Sequence, residues 1–276
     1  MSHLLYTHSF SPVHTSSINI AVCGYGKRIF PSLNAVKSNV ISSRGHVRVN
    51  IYLFMEKEYQ DFFRRSYHDH FGAFAGHKNV HLFVMTEIGN RGHDSTEDDR
   101  MWQSCTTLPL FLPDVFTNDV GSVIYMDADM LFLAPVDDLW EQFSLMNANQ
   151  AIGMANHTGL KLTGPSNRKA YASFDARFVD LNHGVILMDL TRLRSFQFTQ
   201  RLRDIYVKYQ PIYQFPNPNL NLLHIYLHLY PEQLFLLDCS WNYRSSHCLN
   251  EISYCLSATG QRCTPAAGKR VHLYDE

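Results

Sequence analysis

The sequence predicts an α/β fold, a mixed and mostly parallel sheet flanked by helices. Three observations lead there. Short apolar runs alternate with longer polar or helical stretches, which is the pattern of βαβ units. The 276 residues are 45% hydrophobic and 18% charged, enough for one large domain with a single sizeable core. One apolar strand, Ser122–Met126, runs directly into two acids, and open α/β sheets place their ligands at the carboxyl ends of strands. Residues 1–16, polar and His-rich, are expected to form a disordered or linker N-terminus. Residues 17–276 form one domain, with a Cys-rich segment at 239–263.

Taken in order, Ile18–Cys23 reads as a first buried strand. Gly24-Tyr25-Gly26 turns the chain into a helix from about Phe30 to Ser42. Val47–Phe54 is a β-branched second strand, Glu56–Tyr67 a helix and Val80–Met85 a third strand. Arg91–Arg100 is charged and reads as a loop. Trp102–Leu112 is helical, with Pro109 an awkward inclusion. Ala151–Met154 and Gly184–Met188 are further strands. Thr191–Tyr209 reads as one amphipathic helix with Leu193, Leu202 and Ile205 inward and its arginines on a solvated face. Leu220–Leu229 is helical, and Leu234–Leu237 is a short strand before the cysteines.

The formal net charge of −1 gives no electrostatic case for nucleic acid or for a strongly anionic membrane surface. Six cysteines occur, and the last four (Cys239, Cys248, Cys255, Cys263) lack the close pairs of a zinc site. They predict disulfides and an oxidising compartment. The sequon Asn156-His157-Thr158 points to the same compartment. No apolar run of membrane-spanning length occurs, so the expectation is a lumenal domain of the endoplasmic reticulum or Golgi whose membrane anchor lies outside this chain.

The sharpest signal is Val123-Ile124-Tyr125-Met126-Asp127-Ala128-Asp129. Acids spaced i, i+2 in extended backbone point to the same side, so two carboxylates converge at a strand's end. Like charges so close call for a counter-charge. Oxygen ligands suit a hard divalent ion such as Mn2+ or Mg2+, which can neutralise a diphosphate. Apolar Met130-Leu131-Phe132-Leu133 follows at once, and acids wedged between apolar runs are costly without a function. Asp137 and Asp138 look like a helix N-cap rather than a second metal site. His224 and His228, at i, i+4, could clasp zinc, although Ile225 stands where a metalloprotease helix carries Glu.

Several of these segments together resemble glycosyltransferase family 8, and within it the glucoside xylosyltransferases. They are Leu110-Phe111-Leu112-Pro113, the acid-pair strand, Pro135-Val136-Asp137-Asp138-Leu139-Trp140, Leu181-Asn182-His183-Gly184-Val185-Ile186-Leu187-Met188-Asp189, Pro231-Glu232-Gln233, and Trp241-Asn242-Tyr243-Arg244-Ser245-Ser246-His247-Cys248. The resemblance implies a GT-A-like nucleotide-sugar-binding fold. It implies manganese on Asp127 and Asp129 with a C-terminal His, for which His272 is the candidate. It implies a uridine pocket at Ala21, Cys23, Gly24 and Tyr25, and substrate contacts at Asn182, His183, Gly184 and Trp241. The implied reaction transfers xylose from UDP-xylose, with retained configuration, to O-linked glucose on the EGF-like repeats of a glycoprotein.

Three departures mark the chain. The family's Asp-Gln-Asp triplet is Asn219-Leu220-Asn221, Pro109 stands where an Arg usually reaches the donor, and the Ser of Asn-Ser-Gly is His183. Amides still bind sugar hydroxyls, so Asn219 and Asn221 stay the candidates for the catalytic position, but they cannot act as nucleophile or base. A second reading follows: a catalytically impaired relative that binds UDP-sugar or glycoprotein.

Overall fold

A computed structural model of the chain describes residues 17–24, 29–86, 107–156, 181–213, 218–242 and 271–273. The side chains of Asn219, Asn221, Cys239 and His272 lie outside what it describes, as do Tyr25, the loop at 91–100, most of the sequon and the cysteines beyond 242.

Seven strands form one sheet. In chain order they are β1 (Ser17–Cys23), β2 (Arg48–Met55), β3 (Val80–Thr86), β4 (Ser122–Asp127), β6 (Ile152–Asn156), β7 (Leu181–Asp189) and β8 (Leu234–Leu237). Their spatial order is β3-β2-β1-β4-β7-β6-β8. β7 alone runs against its neighbours, so the sheet is mixed and mostly parallel. A second, two-stranded sheet pairs β5 (Met130–Phe132) with β9 (Val271–Leu273).

Period-two burial explains the sandwich. Val123 and Tyr125 of β4 face one core cluster, and Ile124 and Met126 face the other. The first cluster packs under α3 (Leu108–Val115), α5 (Leu190–Ser195), α6 (Phe198–Tyr213) and α7 (Pro218–Leu229). The second packs under α1 (Ile29–Ser42), α2 (Lys57–His77) and α4 (Val136–Trp140). With both faces covered, the central strands read as unbroken apolar runs, and each fully buried aliphatic side chain contributes about 1.5–3 kcal/mol.

Local chemistry corrects several expected elements. Helix α3 starts at Leu108, so Pro109 sits in the first turn, where its missing N–H costs nothing. Helix α2 runs ten residues past Tyr67 to His77 and stops where Asn79 takes φ +53°, a left-handed stop that Asn tolerates. The expected single helix over 191–209 is two, broken at Gln197 with φ +55°. Arg203 is exposed as expected, but Arg192 and Arg194 are not part of a solvated face. Arg194 donates to the carbonyls of Pro113, Phe116, Thr117 and Val120, and Arg192 to those of Asn147 and Gln150. Asp137 and Asp138 lie inside the first turn of α4, whose N-cap is Pro135, and they hold Arg44: Asp137 Oδ2 accepts from its backbone N–H and Asp138 pairs with its guanidinium. Among the described residues no helix is long and apolar enough to cross a membrane.

Candidate active site

The chain turns back on itself between β1 and β4. From β1 the connections run outward through β2 and β3, whereas β4 begins the opposite half of the sheet. Such a switch point opens a crevice at the strand carboxyl ends. Cys23 is paired in register with Asp127 across that switch, and the Gly24 N–H donates to the Phe54 carbonyl at 3.0 Å. Antiparallel pairing of Met126 with Val185 brings Gly184 to the same edge. Strand ends from β1, β4 and β7 therefore meet where the acids are.

The acid pair is not a pair on one extended strand. β4 ends at Asp127, and Ala128-Asp129 form a turn leading into β5. Asp127 keeps the strand geometry, and its Oδ1 accepts from the Tyr125 hydroxyl at 2.8 Å. Asp129 comes from the turn, half-buried, with Ala128 enclosed between the two. Asp129 thus leaves from a turn rather than from the face of the strand.

β5 then brings in the far end of the chain. Its register with β9 sets Met130 opposite Leu273, Leu131 opposite His272, and Phe132 opposite Val271. His272 is therefore placed two residues along from Asp129 on the neighbouring strand. Among the described residues no three His, Cys, Asp or Glu side chains converge as a metal cluster. The residues that could complete a site at Asp127 and Asp129 include His272 by this backbone pairing.

The start of β7 is fixed by an amide exchange. Asn182 Nδ2 donates to the Asn242 carbonyl at 3.2 Å, and Asn242 Nδ2 donates to the Asn182 carbonyl at 3.0 Å. Asn182 Oδ1 accepts the Gly184 N–H at 3.2 Å. Asn182 is 2% exposed, so its described bonds hold backbone. Gly184 allows the close approach: a Cβ there would lie 3.0 Å from Asn242 Oδ1 and 3.1 Å from Met130 Sδ. Beside it, His183 packs on His224 of α7, ring centroids 4.6 Å apart, and His224 Nε2 lies 3.4 Å from the Leu181 carbonyl. His224 is thus tied to β7. The helix that carries Asn219 and Asn221 in its first turn packs against this edge.

Not every expected residue faces the crevice. Ala21, between Tyr52 and Tyr125 in register, is fully buried in the core. Trp241, expected at the substrate, is 1% exposed and packs into the second core cluster, so its ring is not a stacking surface. Cys23 is disulfide-bonded, to a partner outside the described side chains. The site residue that motif reading passed over is Tyr125; its place two residues before Asp127 in a strand was the available signal.

Comparison with known proteins agrees with this architecture. Mouse xyloside xylosyltransferase 1, in its apo form, superposes with a TM-score of 0.68 at 12% identity, over 93% of this chain and 97% of that one. The galactosyltransferase LgtC, bound to donor and acceptor sugar analogs, gives 0.62 at 14% identity, over 93% and 87%. The fold is that of the GT-A glycosyltransferases.

The model of glycosyl transferase family 8 matches residues 19–258, and the chain belongs to that family. Mouse glucoside xylosyltransferase 2 is 30% identical over 94% of this chain and 59% of its own length. Zebrafish (Danio rerio) glucoside xylosyltransferase 1 is 28% identical over 95% and 64%. The chain therefore spans about 60% of the length of these relatives.

Proposed function

We propose that the chain is the catalytic domain of a metal-dependent, retaining xylosyltransferase that uses UDP-xylose. The observation that carries the reading is the placement of Asp127 and Asp129 at the carboxyl edge of the sheet, beside the β1/β4 switch and against the strand that bears His272. The names of the relatives support the donor sugar.

A carboxylate pair with an imidazole fits Mn2+ or Mg2+, and the turn at Ala128-Asp129 gives the curvature such an ion needs. We assign the ion to Asp127, Asp129 and His272. When bound, it would offset the charge of the UDP diphosphate. Gly24 and the end of β1 would pass beneath the nucleotide. The C1–O bond to the β-phosphate breaks, C1 bonds the acceptor hydroxyl oxygen on the same face, and the leaving phosphate takes the hydroxyl proton. Asn219 and Asn221 can hold sugar hydroxyls without acting as nucleophile or base.

The acceptor we propose is O-linked glucose on EGF-like repeats, reached in the lumen of the endoplasmic reticulum or Golgi. The disulfide at Cys23 supports an oxidising compartment. Incubating purified protein with UDP-xylose, Mn2+ and a glucosylated EGF-like repeat tests the reading. Xylose transfer that disappears in Asp127→Asn upholds it. Tight UDP–Mn2+ binding without transfer to any acceptor sugar would instead establish the binding-only relative, which the amides at 219 and 221 favour.

A further inference from the structure

We propose that Tyr125 is a positioning residue for the metal site, holding the carboxylate of Asp127 in the orientation that receives the ion. This rests on the metal reading above and assigns a further residue to it. Tyr125 and Asp127 stand at i and i+2 on β4, so their side chains share one face. The Tyr125 ring is 3% exposed, in a core cluster that includes Ala21, Phe54 and Ile186. Its register neighbours, Ala21 on β1 and Ile186 on β7, are fully buried. A ring enclosed on both sides cannot swing, which fixes the hydroxyl in space. That hydroxyl donates to Asp127 Oδ1 at 2.8 Å.

Packing alone does not call for this hydroxyl. Phe would fill the same volume without a polar atom to satisfy, and burying a hydroxyl is costly unless it is bonded. The bond goes to Asp127, the carboxylate that ends β4 at the crevice. Asp127 is the last residue of β4, where the sheet's own constraint ends, so its side chain needs an external brace.

The test is Mn2+ binding to the purified protein in the presence of UDP, followed by the electron paramagnetic resonance of free Mn2+. Tyr125→Phe keeps the ring and removes the donor. It is expected to weaken Mn2+ binding about tenfold, the usual loss when a group orienting a metal ligand is removed. Transfer should recover at saturating Mn2+, because the defect lies in affinity; damage to the core would not be rescued by metal. A Tyr125→Phe protein whose Mn2+ affinity stays within about twofold of the parent, while Asp127→Asn loses it, overturns the proposal and leaves the metal reading standing. A parent protein that binds no Mn2+ overturns both. If Tyr125→Phe fails to fold, 3-fluorotyrosine at position 125 carries the test: its fluorine resonance should broaden on adding Mn2+, and an unbroadened resonance overturns the proposal.

Discussion

Asn182 and Asn242, sixty residues apart, exchange hydrogen bonds, each side-chain amide donating to the other's carbonyl at 3.2 and 3.0 Å. The exchange fastens the segment after β8 to the start of β7, and so shapes the wall beside Gly184. Asn242 is fully buried. Asn242→Ala removes one donor and leaves the Asn182 carbonyl buried without it. The expected cost is about 1–3 kcal/mol of unfolding free energy, measured by urea denaturation. Asn242→Asp, which puts a buried charge there, should cost more.

Asp127→Asn keeps the shape of the side chain and can still accept from the Tyr125 hydroxyl through its amide oxygen. It removes the charge. The melting temperature should therefore change little, while Mn2+-dependent UDP binding is lost in calorimetric titration. Transfer should fall on the order of a hundredfold or more, the usual loss of a major electrostatic contact. Chelation by EDTA should abolish the parent's transfer, and added Mn2+ should restore it.

Arg194 makes the opposite case, a charge that holds the fold. Its guanidinium bridges α5 to the end of α3 and the loop after it, through the carbonyls of Pro113, Phe116, Thr117 and Val120. Arg194→Ala should cost about 3 kcal/mol and lower the melting temperature by roughly 5–10 °C in calorimetry. Arg194→Lys should rescue little, because an ammonium cannot reach carbonyls fanned around a planar fork.

These residues show what the sequence could and could not disclose. The strands were legible because runs such as Val123-Ile124 are β-branched and buried on both faces, so propensity and burial agree. The acid pair was legible because carboxylates between apolar runs violate the pattern around them. Tyr125 could have been read, since a period of two puts it on the face of Asp127. The role of Arg194 could not: its carbonyl partners lie 74 to 81 residues away, and a carbonyl has no residue identity to recognise. The Asn182–Asn242 exchange was hidden for the same reason. Trp241 was ambiguous because sugar stacking and core packing ask for the same ring, and only its burial decides between them.

Tyr226 sets the behaviour of the fold in alkali. It is fully enclosed in α7, and its hydroxyl donates to Gln233 Oε1 at 2.6 Å. Burial pushes its pKa up to about 12, and burial does the same for Tyr67. The unfolded chain releases these protons near the usual value of 10, so above that pH the unfolded state holds fewer protons than the folded one. The stabilising effect is thus complete below pH 10 and is lost as pH rises from 10 toward 12. Tyr226→Phe has no proton to lose. Its unfolding free energy at neutral pH should be lower by about 1–3 kcal/mol, because the buried Gln233 acceptor loses its donor. Its fall in stability between pH 10 and 12 should be shallower than the parent's, with the remaining slope including the part due to Tyr67. Denaturation at a series of alkaline pH values measures both effects, and parallel slopes for parent and variant would show that Tyr226 titrates alike in both states.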